Sequence, residues 1–301
     1  MNERVVEFGP GNRLVGILTA PAPSATVRSG LAVVFTNSGI IHRVGANRLH
    51  VRLARHLAKR GFTCLRYDLP GVGDSDLIGS GPVPEQKLVA TKAALDRLQS
   101  MGVAERFVMV GLCSGADHSL AVIASEPRVI AALLIDPTVI FSTRLHEIIR
   151  VLRRFRRGLR PSVVWRILTG RKKLDLRGEV TVEEARSRGL PHPPPPDRFA
   201  EIRAQSVAAL TGVVQRGAKL FFLLTGHTGE AISYRGQIAD AFPEITDLPR
   251  ILRVEIRPAA DHTFSREVDR RFLEAQLTEW LEGTVMPDLA PLATDPAPAT
   301  L

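Results

Sequence analysis

Cysteine is nearly missing from this chain: Cys64 and Cys113 are the only two in 301 residues. Two thiols cannot staple a fold of this length, and they show no metal-ligand spacing, so a disulfide scaffold and a thiolate metal site are excluded. Aromatic residues are sparse at 5%, with two Trp and two Tyr, so a core must be built from Val, Leu, Ile, Ala and Phe. No apolar run approaches the roughly 20 residues that span a bilayer. The opening MNERVVEF holds no hydrophobic segment of signal length. A cytoplasmic protein with reduced thiols is expected. Acidic residues are in deficit, 31 Asp and Glu against 40 Lys and Arg, for a formal charge of +9. That excess reads first as a solvated basic surface and second as an attraction for an acidic partner. Nucleic acid is not expected, because no nucleic-acid-binding module accompanies the charge. No metal or redox cofactor is implied.

What is present is a regular alternation. Val5–Phe8 and Leu14–Leu18 flank GPGN and predict a hairpin. LAVVFT (31–36) is a continuous apolar run, as in a strand buried on both faces. Leu49, Leu53 and Leu57 recur among arginines and predict an amphipathic helix ending at Gly61. FTCLRYD, a helix over 85–99, RFVMV (106–110), a helix over 115–124 and VIAALLID (129–136) continue the pattern, and Cys64 falls inside a buried strand. The order predicts an α/β fold with a mostly parallel central sheet flanked by helices. Between Pro137 and Gly217 the strand pattern stops, and helix-like stretches and the proline-rich PHPPPPD take over. It resumes with KLFFLLT (219–225), a strand over 250–256 and a helix over 266–281. The division expected is therefore a core of residues 1–136 and 218–285, a helical cap over 137–217 and a disordered tail over 286–301. The cap includes RVLRRFRRGLR, whose six arginines would form a solvated face or a docking surface for an acidic protein or a lipid.

The chemistry concentrates at VGLCSGAD (110–117), between a predicted strand and a predicted helix. A strained turn there would expose the side chain at its apex, and the positions two before and two after that apex crowd together. With Ser114 at the apex those positions are Leu112 and Ala116, and Leu112 is too large. With Cys113 they are Gly111 and Gly115, and both fit. Cys113 is thus the candidate nucleophile. Its base is expected to be His262, which alone among the eight histidines lies just after the last core strand and before the final helix. A buried carboxylate should orient that imidazole. Glu230, the first carboxylate after FFLLTG, is favoured, and Asp136 at the end of its strand is the rival. Asp261 reads as a loop-forming residue, and His227 as a side chain at the mouth of the site. Oxyanion donors are expected from the backbone N–H of Ser114 and of Ile40 in TNSGIIHR, with Gly39 allowing close approach and the Ser114 hydroxyl playing no necessary part.

On TNSGIIHR, YDLPGVGDSD, GLCSGAD and DHTFS the sequence resembles the alpha/beta-hydrolase family over residues 12–282. The resemblance implies that fold, with a helical cap insertion. It departs from the usual serine at Cys113, in which it looks like dienelactone hydrolases and thioesterase-like enzymes of natural-product assembly. It also has Ser38-Gly39 in place of the usual histidine-glycine. The activity implied is acyl transfer through an acyl-cysteine thioester, with water as acceptor and a thioester or ester as substrate. An acyltransferase or cyclase serving an amine, alcohol or carbon nucleophile is the alternative, and a non-catalytic binding member of the fold is a second. The small-molecule acyl substrate could be borne by an acidic carrier protein docking on the basic cap.

Overall fold

The computed structural model describes residues 2–138, 196–228 and 231–289, together with 143–146, 148–149 and 152. Among these residues eight strands form one sheet: β1 (Glu3–Phe8), β2 (Leu14–Thr19), β3 (Gly30–Thr36), β4 (Thr63–Tyr67), β5 (Ala104–Leu112), β6 (Val129–Ile135), β7 (Lys219–Thr225) and β8 (Leu252–Arg257). The spatial order is β1-β2-β4-β3-β5-β6-β7-β8. β2 pairs antiparallel with β1 and β4, and every other pairing is parallel.

Helices cover both faces. One face packs α2 (Val83–Ser100), α3 (Ser114–Ser125) and α4 (Pro196–Gln215) over side chains such as Val34, Phe107, Met109 and Leu134. The other packs α1 (Leu49–Ala58) and α5 (Glu267–Trp280) over Val33, Phe35, Val108 and Leu133. β3, β5, β6 and β7 are sandwiched between these layers, which is why each carries a continuous buried apolar stretch, 107–112 in β5 and 220–224 in β7, rather than an alternating one. Each fully buried Leu, Val or Phe contributes about 1.5–3 kcal/mol to the layers.

β8 starts two residues later than the sequence suggests. Leu248–Ile251 form a helical turn with Pro249 in its first positions, where a missing N–H and a fixed φ suit a helix start better than a ladder. At the C-terminal end, Met286 and Leu289 pack against the α1/α5 layer and Lys219 Nζ lies 2.8 Å from Asp288. The packed chain thus extends past the boundary expected at residue 285, and 290–301 lie outside the described residues. Between β6 and β7 the described residues are helical at 144–146, 148–149 and 152 and over the whole of α4. The stretches RVLRRFRRGLR and PHPPPPD lie outside the described residues but for Leu152, Pro196 and Asp197.

Candidate active site

β5 ends at Leu112 and α3 begins at Ser114, so one residue, Cys113, turns the corner. Its φ of 56° and ψ of −125° are strained for a side-chain-bearing residue. The turn is held by the Cys113 N–H on Ile135 O at 2.8 Å and by Cys113 O accepting from the Ala116 N–H at 2.8 Å. The flanking glycines are sterically required. A Cβ on Gly111 would collide with the Gly115 carbonyl, and one on Gly115 would lie 2.5 Å from Asn37 O. Cys113 is partly exposed, whereas Cys64 is buried in β4 and its thiol is pushed far above the ordinary range by desolvation.

The histidine and the carboxylate meet one strand away. His262 Nδ1 lies 2.8 Å from Asp136 Oδ2. Asp136 follows β6 at a φ of 43°, a left-handed conformation that Asp tolerates better than most residues. Its side chain is fully buried. Burial of a carboxylate demands partners, and the end of β7 with the turn at Gly226–Thr228 supplies them. Oδ1 accepts from the Thr225 N–H at 2.7 Å and Thr228 Oγ1 at 3.2 Å, and Oδ2 accepts from Thr225 Oγ1 at 2.6 Å. His262 Nε2 makes no hydrogen bond among the described residues, so that nitrogen is available for proton transfer. The His262 loop is shaped by Asp261, which accepts from Ser265 Oγ at 2.5 Å and from the Thr263 N–H at 3.0 Å. Hydrogen bonds from Ser265 and Thr263 hold the Asp261 carboxyl well below the usual range. His227 stacks against the His262 ring with centroids 4.2 Å apart.

The loop after β3 is fastened at several points. Asn37 accepts the Leu69 N–H at 2.7 Å and donates to Ile41 O at 2.9 Å. Buried Asp68 accepts from the Arg43 N–H at 2.5 Å and forms an ion pair with the Arg43 guanidinium. The Ile41 N–H closes the turn on Ser38 O, and the Gly39 N–H donates to Ser114 Oγ at 2.8 Å. The Ile40 amide makes no hydrogen bond among the described residues. Gly39 has a φ of 55° and nothing within 4 Å of the place a Cβ would take. Its glycine therefore serves the left-handed turn.

Of the residues singled out from sequence, the structure joins His262 with Asp136, puts His227 against His262 and connects Ser114 to the loop carrying Ile40. Cys113 stands at the corner itself. Glu230 lies outside the described residues. The Ser114 hydroxyl, expected to take no necessary part in the chemistry, accepts the Gly39 N–H. Thr225 and Thr228 are not among the residues that sequence reasoning picks out, although TGHT (225–228) at a strand end is the kind of short polar cluster that binds a neighbouring carboxylate.

Among solved structures, Est1E from Butyrivibrio proteoclasticus with bound ferulic acid is similar at a TM-score of 0.56 and 14% identity, covering 93% of this chain and 99% of that one. An esterase from Pyrococcus furiosus is similar at a TM-score of 0.56 and 13% identity, covering 94% and 92%. XC6422 from Xanthomonas campestris, described as an a/b serine hydrolase without lid, is similar at a TM-score of 0.53 and 13% identity, covering 93% and 94%. No curated protein matches the chain. At these identities the likeness carries the fold alone. The expected kinship with dienelactone-hydrolase-like and thioesterase-like cysteine enzymes is corrected: the similar structures are described as esterases and a serine hydrolase. The family model of the alpha/beta hydrolases matches residues 35–298, and the chain belongs to that family.

Proposed function

We propose that the protein is an acyl-transfer enzyme that takes the acyl group of a thioester or ester onto Cys113 and hands it to water. The observation that carries this reading is the strained corner at Cys113, flanked by glycines that admit no side chain. In this scheme His262 Nε2 takes the Sγ proton, and the thiolate attacks the substrate carbonyl carbon. The oxygen that becomes negative is met by the backbone N–H groups of Ser114 and Ile40. Collapse breaks the bond to the leaving thiolate or alkoxide, which receives the proton from His262 and leaves an acyl-cysteine thioester. Water then attacks, again giving up its proton to His262, and the acid departs as Sγ is reprotonated. Asp136 holds the ring through Nδ1 and stabilises its charged form. The N-terminus of α3 adds a favourable field for the thiolate.

Intact mass tests the reading. After mixing with an acyl thioester such as butyryl-N-acetylcysteamine, wild type should gain one acyl mass and release free acid, and Cys113→Ala should do neither. An adduct that survives in Cys113→Ala would overturn Cys113 as nucleophile. An adduct stable in water but discharged by an amine or alcohol would overturn water as acceptor. The charge of +9 supports a substrate presented by an acidic carrier protein. Turnover of carrier-bound acyl groups should then fall as salt rises, while turnover of the small thioester should not.

A further inference from the structure

A pocket lies away from Cys113, at the β1 edge of the sheet beneath α1. It has a volume of about 300 Å³, and its walls include Arg48, Arg55 and Arg66 beside the aliphatic Ile17, Val44 and Val51. Arg66 is its unusual member. It stands in β4 in register with Ile17 of β2 and Phe35 of β3, so it projects on the face that α1 covers. An arginine in that row is costly unless its charge is met. Its side chain is only 4% exposed, one Nη reaches Glu3 at 3.1 Å, and its buried Nε has no hydrogen-bond partner. Glu3 cannot neutralise it alone, because the same carboxylate also holds Arg55 at 2.8 Å. Burial, with the like charges of Arg55 and Arg43, pushes the Arg66 guanidinium below its ordinary range despite Glu3.

The surrounding positive charge is not spent elsewhere. Arg48 and the rim residue Arg4 form no ion pair among the described residues. Glu3 is therefore the one carboxylate lining the pocket against four arginines. Arg48 reaches its place through a left-handed pair, Asn47 at φ 49° and Arg48 at φ 60°.

We propose that this pocket binds a small phosphate ester, its phosphoryl oxygens met by Arg48 and Arg66 and its organic part against Ile17, Val44 and Val51. A dianion offsets most of the excess arginine charge, and planar guanidinium groups suit phosphate oxygens. The pocket exceeds a bare phosphate in volume, and its aliphatic wall accounts for the remainder. None of Cys113, His262 and Asp136 lines it, so the proposal stands or falls apart from the acyl-transfer reading.

Calorimetric titration of the full chain at constant ionic strength tests it, with phenyl phosphate, inorganic phosphate and sodium acetate as probes. Phenyl phosphate should bind saturably at one site, tighter than inorganic phosphate, and acetate should not saturate. Arg48→Glu should weaken phenyl phosphate by at least about tenfold, and Arg66→Met should abolish it. Should Arg66→Met fail to fold, Arg48→Glu and Arg4→Glu keep the test sharp. Arg250→Glu makes the same charge change at a side chain 81% exposed outside the pocket and should bind as wild type. Binding that does not saturate, an unaltered affinity in Arg48→Glu, or an equal loss in Arg250→Glu would overturn the site.

Discussion

Asp136 is one buried carboxylate serving three side chains: His262 Nδ1, Thr225 Oγ1 and Thr228 Oγ1. An amide in its place can accept on one atom only, so Asp136→Asn should break the contact to His262 or to a threonine. If Asp136 orients the base, kcat should fall by about 10²–10⁴ with little change in KM, while Glu230→Gln stays within a few-fold of wild type. Steady-state kinetics of the two variants on one acyl thioester measures this, and the opposite ranking would move the acid role to Glu230. Ser114 offers a finer test. Ser114→Ala removes the acceptor of the Gly39 N–H, a bond worth about 0.5–1.5 kcal/mol, so kcat should fall by roughly three- to tenfold while the acyl adduct on Cys113 still forms. A loss as large as that of Cys113→Ala would mean the hydroxyl takes a direct part in the chemistry.

The elements explain why some of this was legible and some was not. Unbroken apolar runs announced β3, β5, β6 and β7, and the small-residue rule around Cys113 identified the corner from three letters, because both follow from local geometry. The partner of His262 was not readable in that way. Asp136 and Glu230 both follow predicted core strands, and the pairing of β6 with β7, which brings Thr225 beside Asp136, is a long-range contact that neither stretch of letters announces. The buried Arg66 was hidden for a similar reason: within FTCLRYD nothing marks it as turned inward beside Glu3, sixty-three residues earlier. Element contacts also predict where substitution is least tolerated. β5, α3 and the loop after β3 touch through backbone at Gly111 and Gly115, with Thr36 Oγ1 donating to Gly115 O at 3.0 Å. Gly111→Ala forces a methyl group into a carbonyl that belongs to the turn. Its cost should exceed about 3 kcal/mol, beyond the ordinary range of single substitutions, and a urea titration showing less than 1 kcal/mol of loss would mean that the corner can relax.

At the scale of the whole molecule, the two helix layers should respond together to acid. His50 sits in the α1 layer with its ring 5.5 Å from that of Phe35, and burial pushes its pKa down to about 4. His118 sits in the opposite layer, 2.7 Å from Thr91 Oγ1, and burial likewise pushes its pKa down to about 4. In the unfolded chain both return to about 6.5. Between those values the unfolded state takes up protons that the folded state refuses, so stability is complete above pH 6.5 and is lost as pH falls toward 4. By pH 5 the loss is about 2 kcal/mol per histidine. The carboxylates held low by arginine, such as Glu267 at about 2, start to weaken the fold only below about pH 4.5, where an unfolded glutamate takes its proton. The window from pH 6.5 to 5 therefore belongs mainly to the histidines. Because the central strands are shared by both layers, the two losses should add in one unfolding transition rather than melt one face at a time. Urea midpoints at pH 7.5 and pH 5 should differ markedly in wild type and by about half as much in His118→Gln. Equal wild-type midpoints, or a biphasic curve at pH 5, would show that the histidines titrate without unfolding or that the layers part independently.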